Sequence, residues 1–95
     1  MISTHVLDTE QGLPAEGVKV ELYRGDELVG SGLTDADGRL ELGEISGAGD
    51  YRLVFHPASS PFFRKIAIDV ALDGGRDYHL PLLLSPYSCT TYRGS

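Results

Sequence analysis

The chain has 95 residues, with 8 Lys and Arg against 14 Asp and Glu, which gives a formal net charge of −6. This acidic balance argues against nucleic-acid binding, because that binding depends on cationic groups that neutralise phosphates. A hydrophobic content of 41% and a charged content of 23% are ordinary for a folded protein, so we expect residues 1–95 to form a single domain. Cys89 is the only cysteine, which excludes an intrachain disulfide and any cysteine-rich zinc site.

The N-terminal stretch and the apolar runs bear on where the protein resides. Residues 1–5 lack the basic and apolar regions of a secretory signal, and no run approaches the length of a membrane span. We therefore expect a cytoplasmic protein with no membrane partner.

Apolar and polar residues alternate with a period of two along much of the chain, which predicts short β-strands. The predicted strands cover residues 2–7, 18–23, 28–33, 40–42, 51–55, 66–72 and a run beginning near 78. Stretches rich in Gly, Pro, Asp and Ser separate them, and the stretch 56–61 is predicted to be a surface loop. In the turn 35–38, aspartates are expected to cap backbone amides and Gly38 to take a positive φ.

No stretch has a sustained period of 3.6 residues, so we predict an all-β protein with the architecture of a two-sheet β-sandwich. Seven to eight strands, joined by hairpins and Greek-key connections, fit the spacing of the turns. The run Leu80–Leu84 is apolar on both strand faces, and a sandwich this small has exposed edges. Oligomerisation would cover both.

Four segments of the sequence together carry a family resemblance. They are Ser-Thr-His-Val-Leu-Asp at 3–8, Asp-Gly-Arg at 37–39, the run 78–86 and Thr-Tyr-Arg-Gly-Ser at 91–95. The set resembles the 5-hydroxyisourate hydrolases, the transthyretin-related enzymes of purine breakdown. Residues 17–55 are also similar to other prealbumin-like sandwiches, which serve only as binding domains or as spacers. The ending 92–95 is therefore the specific signal.

The resemblance implies a transthyretin-like (prealbumin-like) sandwich and a homotetramer assembled as a dimer of dimers, with active sites between the dimers. It implies hydrolysis of 5-hydroxyisourate to 2-oxo-4-hydroxy-4-carboxy-5-ureidoimidazoline in urate catabolism, with no cofactor and no metal. The alternative is a non-catalytic transthyretin-like protein that binds an aromatic small molecule.

The resemblance also assigns the site residues. The catalytic set it implies is His5, Arg39, His79 and Ser95. The substrate-binding set it implies is His5, Arg39, Tyr92, Arg93, Gly94 and Ser95.

The sequence departs from the family pattern at three places. The family's short helix between the fifth and sixth strands is expected to be deleted here, since only 56–61 stands in its place. Arg64 replaces a usual proline after the paired phenylalanines, and Cys89 replaces a usual aromatic residue in the last strand. These changes affect sheet edges and subunit contacts.

Opening a cyclic amide with water requires a base for the water and a donor for the oxyanion. His5 or His79 can be the base, because a histidine with a pKa near 6.5 accepts protons at neutral pH, and the residues leave both possibilities open. His56 is interpreted as a bystander. The planar guanidinium of Arg39 suits an anionic, urate-like edge, whereas for Arg93 we prefer a structural role beside the chain end or a carboxylate.

Two other mechanisms compete with direct attack by water. A Ser-His-Asp arrangement could use Ser95 and Asp8, although no nucleophile-elbow motif supports it. A metal site built from the three histidines is disfavoured, because none of them are spaced two or four residues apart.

Overall fold

A computed structural model describes residues 1–94 of the chain. Its strands are β1 (Ile2–Asp8), β2 (Leu13–Pro14), β3 (Lys19–Arg24), β4 (Glu27–Leu33), β5 (Arg39–Gly43), β6 (Gly49–His56), β7 (Ile66–Leu72), β8 (Tyr78–Leu84) and β9 (Cys89–Thr91). Residues 1–94 contain no helix, which confirms the predicted all-β class and the missing helix before β7. Within this range, accordingly, there is no long apolar helix of the kind that crosses a membrane.

The strands form two sheets, as predicted. Sheet I has the order β2–β1–β8–β9, with β5 also paired to β1, and sheet II has the order β4–β3–β6–β7. Alternate residues of both sheets point between them and form one apolar core. Its most deeply buried members are Ile2, Val6, Val20, Leu22, Leu53, Phe55 and Leu82. The burial of this inner set leaves the other side chains of sheet I on its outer face.

The observed elements differ from the predicted ones in three places. β2 lies within the predicted break 11–14, because the chain folds back there and pairs with the end of β1. β6 runs on through His56, which was expected to begin a loop, because that residue pairs with Lys19 of β3. The final strand, β9, is only three residues long, and the chain then continues beside β8.

The central feature of sheet I is the parallel pairing of β1 with β8, two strands that lie far apart in the sequence. Thr4 stabilises this pairing: its buried hydroxyl donates a 2.6 Å hydrogen bond to the carbonyl oxygen of Leu80. The register sets Ser3 opposite His79 and His5 opposite Pro81. The first and the eighth strand therefore present their outward side chains side by side.

Candidate active site

Ser3, His5, Arg39 and His79 all lie on the outer face of sheet I. Their neighbours along each strand are the inward residues of the sandwich, and side chains alternate along a strand, so these four point outward. β1 lies between β5 and β8, with His5 directly opposite Arg39 and Ser3 directly opposite His79. The structure thus brings together three of the residues predicted for the site and adds Ser3.

The turn 35–38 has the predicted construction and places Arg39 at the start of β5. The Asp35 carboxylate accepts hydrogen bonds from the backbone amides of Asp37 (2.9 Å) and Arg39 (3.0 Å). Gly38 has φ 75°, and a Cβ there would lie 2.4 Å from the carbonyl oxygen of Val6. Glycine is therefore required by both the backbone conformation and the close approach of β1.

The same turn orients His5. The Nε2 atom of His5 lies 2.8 Å from the carbonyl oxygen of Asp37. A carbonyl oxygen only accepts hydrogen bonds, so Nε2 carries the proton and donates it. The Nδ1 atom of a neutral His5 is then the acceptor, available to a water molecule or to an N–H group of a ligand.

His79 is held on β8 with one ring nitrogen bonded and the other available. Its Nδ1 atom lies 2.9 Å from the hydroxyl oxygen of Ser3. Within residues 1–94 its Nε2 atom makes no hydrogen bond, and no buried side-chain polar atom of that range lacks a partner. Within this range Nε2 is therefore the ring nitrogen without a partner.

Burial lowers the pKa of His79 below its ordinary value of 6.5, and the nearby Arg39 and His5 groups lower it further. Burial disfavours the charged imidazolium, and nearby cations disfavour a second positive charge. His79 is consequently neutral at neutral pH and can accept a proton at Nε2.

The guanidinium of Arg39 is exposed and forms no ion pair or hydrogen bond with any side chain or backbone group of residues 1–94. Its planar set of N–H donors is thus available to an anion. The outer face of sheet I therefore combines a neutral base, His79, with the Arg39 guanidinium, which has no partner in residues 1–94. The net charge of the chain as a whole is −6.

The segment that follows β9 runs along β8 and reaches His79. The amide of Gly94 donates a 2.7 Å hydrogen bond to the carbonyl oxygen of His79. A Cβ on Gly94 would lie 2.8 Å from the Cδ2 atom of that imidazole, so only glycine fits here without displacing the ring. Tyr92 is 55% exposed, and Ser95 lies outside the described residues.

Arg93 does not join the set around His79. Its guanidinium carbon lies 5.5 Å from the ring centroid of Tyr78, an inward residue of β8. The hydroxyl group of Tyr78 in turn donates to the carboxylate of Asp73 and lowers the pKa of that carboxyl group. Arg93 thus packs the terminal segment against an aromatic ring and a nearby carboxylate.

Arg93 also lines a cleft of about 240 Å³ between β7 and β8, whose walls are mainly apolar. His79 also lines this cleft, whereas His5 and Arg39 do not. The candidate active site is therefore the outer face of sheet I, which carries all three residues, and the cleft adjoins it at His79.

The structure also locates the groups behind three other interpretations of the sequence: His56, Asp8 and a metal site. His56 belongs to sheet II, where its Nε2 atom lies 2.6 Å from the Glu21 carboxylate. It is therefore on a different sheet from His5 and His79. The Asp8 carboxylate accepts from the amides of Glu10 and Gln11, and in residues 1–94 it is bonded to no histidine. The same range contains no group of three or more potential metal ligands.

The residue that sequence reasoning missed is Ser3. Its alternation with Ile2 and Thr4 places it on the same face as His5, which is a usable signal. Its contact with His79 depends on the parallel register of β1 and β8. That register is not encoded in any local pattern.

Comparison with known proteins identifies the family of the chain. The profile of the HIUase/Transthyretin family matches residues 2–94. A "5-hydroxyisourate hydrolase 2" of Rhizobium meliloti (strain 1021) is 40% identical, covering 99% of this chain and 95% of the relative. That alignment extends over 116 residues, so the relative contains segments with no counterpart in this shorter chain.

Solved structures place the fold in the same family. The Klebsiella pneumoniae 5-hydroxyisourate hydrolase superposes with a TM-score of 0.89 at 36% identity, covering 99% of this chain and 98% of that one. Sea bream transthyretin in complex with thyroxine superposes with a TM-score of 0.88 at 29% identity, covering 98% and 93%. On the evidence of the full-length family match and of these relatives, the chain belongs to the HIUase/Transthyretin family.

Proposed function

We propose that the protein is a hydrolase that opens 5-hydroxyisourate to 2-oxo-4-hydroxy-4-carboxy-5-ureidoimidazoline. The observation that carries the proposal is His79: a neutral imidazole whose Nε2 has no partner in residues 1–94, beside His5 and the exposed Arg39. A base, an anion-binding group and a second oriented imidazole are the groups that attack by water on a cyclic amide requires. The curated relatives named 5-hydroxyisourate hydrolase support the choice of substrate.

The proposed reaction begins with proton transfer from water to Nε2 of His79. The water oxygen attacks a ring carbonyl carbon, whose C=O electrons move onto oxygen and form an oxyanion. When the carbonyl reforms, the ring C–N bond breaks, and the nitrogen leaves with the electron pair. The imidazolium of His79 returns the proton to that nitrogen, so the base is regenerated and no cofactor or metal is consumed.

Arg39 is assigned to the anionic edge of the substrate and to the developing oxyanion. Its fork of N–H groups can donate two parallel hydrogen bonds, which the single ammonium of a lysine cannot reproduce. His5, held through Nε2 by Asp37, would accept from the attacking water or from an N–H group of the substrate through Nδ1. This division assigns the role of base to His79 and the role of orienting group to His5.

The terminal residues complete the proposed site. Tyr92, exposed on the same face as Gly94, would line the wall against the purine ring, and Ser95 would hydrogen-bond the water or a histidine. Gly94 lets the main chain approach the imidazole of His79. Arg93 is proposed to support this segment through its contact with Tyr78, and its predicted substrate contact would be indirect.

A homotetramer is part of the proposal. The active-site face of sheet I is open in the single chain, whereas chemistry on a cyclic amide benefits from a pocket that excludes water. Exposed aromatic rings in the loops before β7 and after β8 also need cover: Phe62 is 62% and Tyr87 73% exposed, with ring centroids 6.1 Å apart. Two dimers packed face to face would cover the open face of sheet I.

A cytoplasmic location is also proposed, since the exposed free thiol of Cys89 suits a reducing compartment.

The alternative function is that of a binding protein for an aromatic molecule, and the thyroxine complex of sea bream transthyretin keeps it in view. A carrier has no chemical need for a neutral histidine base beside an unpaired arginine. The assay below separates the two, because a carrier leaves its ligand unchanged.

The first prediction concerns turnover. Freshly generated 5-hydroxyisourate should decay faster in the presence of the protein, as followed by ultraviolet absorbance. His79→Gln should lower kcat by a factor of about a hundred to ten thousand, because it removes the base. His56→Gln is the matched control and should retain the rate, since His56 lies on sheet II. An unchanged decay with wild-type protein would remove the enzyme assignment.

The second prediction concerns pH. Because the pKa of His79 is lowered in the free protein, the acidic limb of the kcat/KM profile should lie below pH 6.5. Burial is the largest cause and Arg39 the next, so Arg39→Gln should raise the pKa of His79 and move the limb to higher pH. The variant should also lose about a hundredfold in rate through the missing oxyanion donor. A limb that stays in place in Arg39→Gln would contradict the proposed proximity.

The third prediction concerns the terminal segment. Gly94→Ala should lower kcat about tenfold or more, because the new methyl group must displace the imidazole of His79 or the segment itself. Gly75→Ala is the control: its Cβ would meet only the Asp73 carboxylate, at 3.8 Å. Stopped-flow rates and thermal melting of both variants check this. Wild-type kinetics in Gly94→Ala would show that the segment does not constrain the base.

The fourth prediction concerns assembly. Light scattering coupled to size-exclusion chromatography should give four times the chain mass of 10.3 kDa. Tyr87→Ser should shift the distribution toward smaller species and lower the activity per chain, because it removes exposed apolar area that the partner would bury. A fully active species with the mass of one chain would overturn the tetramer while leaving the chemistry in place.

A further inference from the structure

The hydroxyl group of Ser3 is the only side-chain group in residues 1–94 that is hydrogen-bonded to the imidazole of His79, with 2.9 Å between Oγ and Nδ1. Ser3 is half-buried on β1, directly opposite His79 in the parallel ladder. Both side chains therefore start from backbone positions fixed by the sheet, which limits how far either can move without breaking the ladder.

The direction of this hydrogen bond decides which nitrogen of His79 is basic. If Nδ1 carries the proton, it donates to Ser3 Oγ, and the lone pair is at Nε2. If Nε2 carries the proton, Ser3 donates to Nδ1, and the N–H at Nε2 has no acceptor in residues 1–94. A hydroxyl group can accept or donate, so the hydrogen bond alone fits both forms. A base that takes a proton from water at Nε2 must carry its own proton at Nδ1, so the proposed function requires the Nδ1–H form.

We propose that Ser3 is a positioning residue that holds His79 in the Nδ1–H form and aims its Nε2 lone pair at the catalytic water. This inference rests on the proposed function of His79 as the base. A neutral hydroxyl suits the role, because it orients the ring without raising its pKa, whereas a carboxylate in the same place would favour the imidazolium.

A second contact makes the orientation unique. Gly94 packs against the Cδ2 edge of the ring, which is adjacent to Nε2, while Ser3 holds Nδ1 on the other side. A ring flip would exchange nitrogen and carbon positions and would place a C–H group against the Ser3 hydroxyl. The terminal segment and the first strand therefore fix the ring from opposite edges.

The test combines kinetics with nitrogen NMR of the full-length protein. Ser3→Ala should lower kcat about tenfold to a hundredfold with little change in KM, because the base loses its orientation and the substrate keeps its contacts. In ¹⁵N-labelled wild-type protein, long-range ¹H–¹⁵N spectra should give His79 the Nδ1–H pattern. In Ser3→Ala the pattern should move toward the Nε2–H form, and Ser3→Thr, which keeps the hydroxyl group, should restore both pattern and rate.

Ser31→Ala makes the same chemical change on an exposed strand position of sheet II and should leave rate and spectrum unchanged. An Nε2–H pattern in wild-type protein, or a wild-type kcat in Ser3→Ala, would overturn the inference. The spectrum needs no substrate, so it decides the role of Ser3 separately from turnover. If wild-type protein does not accelerate 5-hydroxyisourate decay, it is the proposed function that fails.

Discussion

The parallel pairing of β1 with β8 is the constraint on which the site depends. It pairs residues that are 76 positions apart in the sequence. This pairing sets Ser3 beside His79, with His5 two residues further along β1. The buried Thr4 hydroxyl, bonded to Leu80, stabilises the same ladder from the inner face. A one-residue slip would turn every outward side chain of one strand inward, so the apolar inner set also fixes the positions of the polar outer set.

The last residues of the chain extend this arrangement. From β9 onward the main chain follows β8, and its alternation sends Gly94 toward His79 but Arg93 toward Tyr78 on the inner side. Gly94 thus approaches the imidazole of His79, while Arg93, the residue before it, packs against the ring of Tyr78. The alternation of side-chain directions, continued past the end of β9, gives adjacent residues different roles: Gly94 approaches His79 closely and Arg93 packs against Tyr78.

Much of this structure could be predicted from the sequence, and the reasons differ by feature. The apolar pattern predicted a strand over residues 2–7 and another from about residue 78, which are β1 and β8, but it did not predict which face carries Ser3, His5 and His79. The turn 35–38 could be predicted because Asp and Gly act locally there. The register between β1 and β8 could not, since pairing distant strands depends on the packing of the whole core. The Ser3–His79 bond and the His5–Asp37 bond follow only from that tertiary arrangement.

The charge of the chain and the charge of the proposed site have opposite signs, and distance reconciles them. A net charge of −6 would repel an anionic purine if all charges acted equally. At physiological salt, however, charges are screened over about 8 Å, so distant carboxylates contribute little at the outer face of sheet I. A nearer carboxylate, that of Glu41, lies on this face opposite Ser3 and two residues beyond Arg39. Arg39 acts at contact distance and has no partner in residues 1–94 that would neutralise it. A guanidinium without a partner in residues 1–94 is therefore suited to bind an anion on an acidic protein, and its charge adds to burial in lowering the pKa of His79.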